Sequence, residues 1–428
     1  MSTLSTKELF NVWSKVAANS FGGPAGQIAV IHRLVVEEKK LVSEKNFLHA
    51  LNFCMLLPGP EAQQLATYMG WLMNKWKGGL IAGGLFILPG FLSILALSYI
   101  YVLFNDASLV QGAFYGIKPA IIAVVLGALI RISKKSLNLK FHWLLAGLGF
   151  FLLFFLKVSF PLVVIGSGFL GLLYGRFVDH HEPAESDVKL PPLSTTMKTL
   201  LIWTGVWFIP ILGVILILGD DSSFHRLNLF FSKMSLVTFG GAYAALSYVA
   251  QQAVDVFGWL VSGEMLDGLA LAETTPGPLI QVVQYVGFMG SYRFPGGFDP
   301  LFAAFIGSVL TTWMTFAPCF LFIFTFAPYI EFIRGQKLFS DALSSITASV
   351  VGVIFNLSLW FMLNTLFEKS QKIDSGVFNF SYPVLSSIDF YAAGICIAAL
   401  FLQFKFKKGL FFILGTSMVL GLLVKFTA

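Results

Sequence analysis

The sequence predicts an all-α polytopic membrane protein of about thirteen transmembrane helices, built as two inverted-topology repeats joined by a linker helix. Three observations predict it. Of 428 residues, 57% are hydrophobic and 12% charged, about half the charged share of a soluble domain, and mean hydropathy is +0.80. Apolar segments long enough to span hydrocarbon recur along the whole chain. Finally, two stretches 218 positions apart carry the same unusual residues.

The elements follow in order. A span needs about 20 predominantly apolar residues. Candidates centre on 10–31, 47–72, 79–104, 110–130, 141–156, 158–175, 199–219, 227–251, 265–289, 301–327, 340–366, 387–403 and 409–425. The fifth and sixth are short and separated mainly by Lys157-Val158-Ser159, so they also read as a tight hairpin, and the two PGP-containing spans also read as re-entrant. The one extended polar stretch, 177–197, reads as a linker. The division is therefore an N-terminal repeat at 1–176, a polar linker plus connecting transmembrane helix at 177–226, and a C-terminal inverted repeat at 227–428. With the N-terminus inside, fifteen Lys and Arg fall on the cytoplasmic side and ten on the other, leaving aside Lys15, Lys118 and Lys233 within spans. The positive-inside bias thus expects a cytoplasmic N-terminus, although HRLVVEEKKLVSEK at 32–45 runs against it. No cleavable signal peptide is visible, because the first apolar stretch is long and carries Lys15.

Composition also excludes. The net charge of +6 reflects short basic loops, not a nucleic-acid surface. Cys54, Cys319 and Cys396 stand singly in apolar segments and read as small buried side chains. The six histidines show no ligand spacing. No metal, cofactor or catalytic group is expected.

SKVAANSFGG (14–23) aligns with SKMSLVTFGG (232–241), so Ser14, Lys15, Phe21, Gly22 and Gly23 match Ser232, Lys233, Phe239, Gly240 and Gly241. At the same offset Pro58-Gly59-Pro60 meets Pro276-Gly277-Pro278, and Gln63 meets Gln281. Past an insertion near SYRFPGGFDP, Pro89 meets Pro318 at offset 229. Apolar composition produces chance matches of Leu or Val, not of SK, FGG and PGP together. Seven expected crossings separate the two starts, and an odd number sends the second copy in from the opposite face. Such inverted repeats place a substrate site near the midplane, built from broken helices.

The breaks are LPGPEAQQLATY (57–68) and TTPGPLIQVVQY (274–285). Proline lacks an amide hydrogen and clashes with the preceding turn, so PGP ends one half-helix and begins another. Backbone groups freed in this way cannot face lipid and must line protein or a wet cavity. A helix restarting there offers amide hydrogens and a positive dipole end to an anion. Gly22-Gly23 and Gly240-Gly241 allow a similarly close backbone approach, with close helix packing as the structural alternative. Lys15 and Lys233 bring paired positive charge, costly in lipid unless it meets a cavity, an anion, a carboxylate or the interface. Lys118 adds a third cation; Thr347 occupies its slot in the second copy. Glu61 follows one break and Glu273 precedes the other; a desolvated carboxylate can carry a proton, so both are proton-coupling candidates. His49, whose mate is Asp267, is a weaker relay candidate. Gln63, Gln64, Gln281, Gln284, Thr274 and Thr275 supply neutral hydrogen bonds. The set suits a tetrahedral oxyanion.

FGGPAGQIAVIHRLVVEEKKLVSEKNFLHALNFCMLLPGPEAQQLATYMGW resembles the signature of the chromate ion transporter family, and FGGAYAALSYVAQQAV with MLDGLALAETTPGPLIQVVQYVGF resembles the second-half signature of its long, two-domain members. The resemblance covers nearly the whole chain. It implies a bacterial-type plasma-membrane protein that exports chromate, a sulfate-like dianion, driven by the proton-motive force. The residues it carries over are the FGG, PGP, AEQQ-like and AETTPGP blocks, with Lys15 and Lys118 among the basic positions; in this sequence the order is PGPEAQQ, so only Glu61 follows a PGP. The partners implied are chromate or a sulfate-like dianion, the lipid bilayer and protons, with a homodimer left open. A sulfate carrier or anion exchanger is the alternative within transport. A membrane reductase is disfavoured by the lack of haem, flavin or CxxC motifs.

Overall fold

The computed structural model describes residues 4–104, 106–178, 192–330, 337–376 and 378–427. Most of the polar linker, 179–191, and Arg334 lie outside them. The described chain is overwhelmingly helical, as expected of a polytopic membrane protein. Among the described residues, seven helices are long and apolar enough to cross a membrane: Glu61–Phe104, Ser108–Ser136, Phe160–Phe177, Leu193–Leu218, Pro300–Tyr329, Ser340–Leu366 and Leu410–Thr427. Lys140–Phe154 and Phe390–Lys405 are apolar but shorter.

Several of the thirteen expected spans are interrupted. The segment 10–31 becomes two helices, Thr6–Asn19 and Gly23–His32. Its second-copy equivalent, 227–251, becomes Ser223–Val237 and Ala242–Gln251. At the two PGP breaks the helix ends and restarts as the sequence predicts: 265–289 becomes Ser262–Thr274 and Val282–Arg293, and Glu44–Cys54 precedes the helix that opens at Glu61. In each case glycine or proline interrupts the hydrogen-bond ladder, so apolar length alone overstates the unbroken helix. Conversely, Glu61–Phe104 holds two helices meeting at Asn74 (φ −154°) and Lys75 (φ 45°).

The chain divides into two compact units. The first comprises Met1–Ala96, Leu172–Ala245 and Ala272–Asp341; the second comprises Leu97–Gly171, Leu246–Leu271 and Ala342–Ala428. Each unit therefore draws on both sequence repeats.

In the first unit, Ser5 opens the N-terminal helix with a capping box: Glu8 N–H donates to Ser5 Oγ at 3.3 Å, and Ser5 N–H donates to Glu8 at 2.9 Å. Leu9, Trp13, Val16 and Ala17 then form one buried stripe. Leu9, Trp13 and Val16 join a core containing Phe47, Phe53, Leu65, Met69 and Phe86. Val282–Arg293 packs on Pro300–Phe326 through Gly287 and Gly307, where a side chain on either would overlap the opposing helix.

In the second unit, Ser108–Ser136 packs along Leu410–Thr427. They approach closely at Gly116 and Gly421, where a Cβ on Gly116 would lie 2.0 Å from the Ser417 carbonyl. A two-stranded antiparallel hairpin, Ser370–Asp374 with Asn379–Pro383, interrupts the helices and is a finding that apolar periodicity did not foresee. Asn379 donates its N–H to the Phe155 carbonyl at 2.8 Å, and the Phe380 ring meets Phe154 at a tilt and Phe155 edge-on.

Candidate functional site

Both PGP breaks and both FGG turns lie in the first unit, and the repeats exchange contacts there. Gly59 N–H donates to the Thr238 carbonyl at 2.7 Å, and Gly277 N–H donates to the Ser20 carbonyl at 2.9 Å. Gly59 and Gly277 are equivalent positions, and so are Ser20 and Thr238. Each proline-flanked glycine therefore reaches the residue just before the Phe-Gly-Gly of the other copy. A second exchange accompanies the first. A Cβ on Gly59 would lie 3.0 Å from Cys319 Sγ, and one on Gly277 would lie 3.1 Å from Gly90 Cα. Gly90 and Cys319 each follow the matched prolines Pro89 and Pro318. A pairing of one residue with another, repeated with the roles of the copies reversed, is what a two-fold relation between copies produces.

Glycine is required at these breaks. Gly59 has φ 125° and Gly277 has φ 102°, a region that L side chains rarely adopt. The two amides are thereby committed to protein carbonyls, so they are not donors to a guest, as the sequence had suggested. The prolines beside them carry no N–H at all.

The glutamines are likewise engaged. Gln64 Nε2 donates to the Pro58 carbonyl at 2.7 Å, Gln63 Nε2 to Thr67 Oγ1 at 3.0 Å and Gln281 Nε2 to Gln284 Oε1 at 2.7 Å. Gln284 Nε2 reaches the Phe91 carbonyl at 2.9 Å. Gln27, which the sequence did not single out, donates to the Gly277 carbonyl at 2.5 Å. Their amide donors therefore hold the breaks in shape, while the oxygens of Gln27, Gln63, Gln64 and Gln281 are buried without a hydrogen-bond partner. Thr275 is buried and turns its hydroxyl to the Ala272 carbonyl at 3.2 Å; Thr274 beside it is half-buried.

The FGG turns differ between copies. Gly22 (φ 83°) caps the helix Gly23–His32 with no side-chain hydrogen bond, and Pro24 sits in its first turn. That amino end presents backbone dipole without a capping oxygen. Gly240 and Gly241 precede Ala242–Gln251 in the same left-handed geometry. Here two carboxylates converge. Glu61 Oε1 lies 3.5 Å from where a Cβ on Gly241 would stand, and Glu273, 3% exposed, accepts a hydrogen bond from Tyr243 Oη at 2.5 Å. The structure thus brings the two proton-coupling candidates to one helix end. Tyr243 was missed because its repeat mate is Ala25 and no duplicated signal marks it. Ser20 and Thr238 were missed although hydroxyl residues recur before both FGG turns.

Lys15 and Lys233 are not buried; both are exposed on their helices, one turn or more before the turns they were expected to serve. Lys118 belongs to the second unit, where its Nζ lies 3.1 Å from Asp267 Oδ2.

Comparisons with known proteins fit this duplicated arrangement. A family model described as "Chromate transporter" matches the chain twice, over residues 7–172 and 225–422. The chain is 33% identical to a chromate transport protein of Pseudomonas aeruginosa over 362 residues, covering 82% of this chain and 80% of that one. It is 28% identical to a "Probable chromate transport protein" of Synechococcus elongatus, covering 82% and 83%. An uncharacterized transporter of Bacillus subtilis matches at 29% over 163 residues, 37% of this chain but 79% of its own. No solved structure matches.

Proposed function

Because the chain belongs to the chromate transporter family, a family of membrane transporters and not enzymes, we propose that it is a secondary transporter exporting chromate, or a sulfate-like oxyanion, across the bacterial plasma membrane. In this reading the N-terminus is cytoplasmic, the proton-motive force drives transport, and the anion binds beside the broken helices where the repeats meet. The reciprocal bonds Gly59–Thr238 and Gly277–Ser20 carry it. They tie two interrupted helices from different copies into one element, the construction that secondary transporters use for midplane sites. The exchange supports an inverted repeat whose two-fold axis lies in the membrane plane.

The asymmetry between turns then divides the work. The uncapped amino end at Gly22-Gly23 offers backbone dipole to the dianion, with Lys15 and Lys233 as long-range countercharge. At Gly240-Gly241 the same dipole faces Glu61 and Glu273, where a proton would decide whether that end repels or admits an anion.

The test uses liposomes containing the purified protein alone. Chromate flux without an electron donor, stimulated by a pH gradient and competed by sulfate, is expected. Absence of chromate flux in either direction would sink the proposal, and chromate flux that requires a counter-anion and ignores pH would replace it with anion exchange.

A further inference from the structure

The second unit holds a polar cluster that the PGP and FGG elements do not use. Asp267, on the helix Ser262–Thr274, is 2% exposed. Its Oδ2 receives two donors, Lys118 Nζ at 3.1 Å and Tyr101 Oη at 2.9 Å. Its Oδ1 is buried and has no hydrogen-bond partner. Glu264, one turn earlier on the same helix, accepts from the Val261 N–H at 2.9 Å. Lys118 keeps 29% of its side chain exposed, and its Nζ lies 3.2 Å from where a Cβ on Gly263 would stand. The titratable and charged groups facing Asp267 are therefore Lys118, Tyr101 and Glu264, from three helices.

A buried ion pair kept only for stability has the remaining lone pairs of its carboxylate satisfied, because an unsatisfied buried charge is expensive. Asp267 lacks that on one oxygen. The pair also lies outside the duplicated frame: the position equivalent to Asp267 is His49, and that equivalent to Lys118 is Thr347. The orphan oxygen suits a proton better than a metal ion. A second cation would sit against the Lys118 ammonium, whereas a proton converts a bare acceptor into a neutral O–H.

We infer that Asp267 is a coupling-proton site, and that its protonation releases Lys118 to attract the transported dianion. The inference rests on the transporter reading above and deepens it. A proton from the aqueous phase bonds to Oδ1, and no covalent bond in the protein breaks. The carboxylate becomes a neutral acid, the Lys118 contact loses its charge partner, and the Lys118–Asp267 pair passes from net zero to net +1. Deprotonation to the opposite aqueous phase restores the pair and expels the anion, so proton and dianion leave together with net charge −1, and the electrical component of the proton-motive force drives that charge outward. The partly exposed lysine supplies the polar path by which the proton reaches a buried oxygen.

The experiment reads chromate flux and luminal pH together in proteoliposomes, using a trapped pH-sensitive dye. In the wild type, chromate entry is expected to move protons. Asp267→Asn, which fixes the cluster in its protonated charge state, is expected to keep downhill chromate flux, lose the accompanying proton movement, and bind chromate at alkaline pH about tenfold more tightly than the wild type. The doubly neutral Lys118→Gln/Asp267→Asn protein covers the case in which the single variant does not fold, and is expected to lose both the proton movement and the tighter binding. Proton movement at the wild-type level in either variant overturns the inference while leaving chromate transport standing. A wild type that moves chromate only with sodium overturns it in the same way. A wild type that moves no chromate ends both readings.

Discussion

Gly59 and Thr238, residues of different sequence repeats, are joined by a 2.7 Å backbone hydrogen bond that has its mirror in Gly277 and Ser20. Both glycines hold positive φ, and a Cβ at Gly59 would also press on Gln64 Nε2 at 2.7 Å. We expect Gly59→Ala and Gly277→Ala each to cost about 1–3 kcal/mol of stability and to abolish chromate flux. Thermal melting in detergent and liposome flux check this. Because the acceptors are backbone carbonyls, Ser20→Ala and Thr238→Val should retain flux; its loss in both would detach the crossing from function.

Glu273 and Tyr243 make a second test. Removing the hydroxyl with Tyr243→Phe withdraws a donor from a buried carboxylate, at a cost of about 1–3 kcal/mol. Glu61→Gln and Glu273→Gln should each eliminate pH-driven chromate accumulation while leaving folded protein in the membrane. Wild-type accumulation in both glutamine variants would remove these carboxylates from the coupling path.

Lys15 and Lys233 are exposed, so their loss should not unfold the protein. Lys15→Ala and Lys233→Ala are expected to lower chromate affinity by about tenfold each with an unchanged melting temperature. An affinity within experimental error of wild type for both variants would leave the lysines no role beyond topology.

Packing in the second unit can be probed at Gly116. A methyl there would meet the Ser417 carbonyl, forcing Ser108–Ser136 from Leu410–Thr427, at a cost of about 1–3 kcal/mol. Gly116→Ala should therefore lower the melting temperature, whereas Gly84→Ala, with open space around its Cβ position, should not.

Lys157 lies in the loop between Lys140–Phe154 and Phe160–Val178 at φ 52°. Burial pulls its ammonium below the ordinary lysine range; Asp255 opposes that shift and Lys372 adds to it. Since the folded protein holds the proton less tightly than the unfolded chain, the buried charge opposes folding below the folded pKa, and that cost fades as pH rises through it. Lys157→Gly also relieves the left-handed backbone. It should raise the melting temperature at neutral pH, by an amount that shrinks in alkaline buffer; a gain that grows with pH would contradict the assignment.

The sequence marks the duplicated residues well, because SK, FGG and PGP recur at one offset and few folds would retain them by chance. It marks Glu61 and Glu273 by their position beside the breaks. It does not reveal that Glu61 approaches Gly241, because that proximity is set by the crossing of copies and not by local spacing. Nor does it expose Tyr101–Asp267–Lys118, whose members are far apart in sequence and belong to no repeated pattern. The breaks at FGG were concealed for another reason: hydropathy sums over a glycine turn as readily as over an intact helix, so FGG looks continuous to a span count, whereas PGP does not. The hairpin at 370–383 was concealed because its alternation is short and its neighbours are apolar.

The crossed glycine amides carry a consequence for how the polypeptide must be assembled. Neither half owns the carbonyl that satisfies its own interrupted segment; each borrows it from its counterpart. Severed at the linker and produced as separate polypeptides, the halves would each carry a buried, orphaned N–H until they met. Co-production should therefore rescue what solitary production cannot.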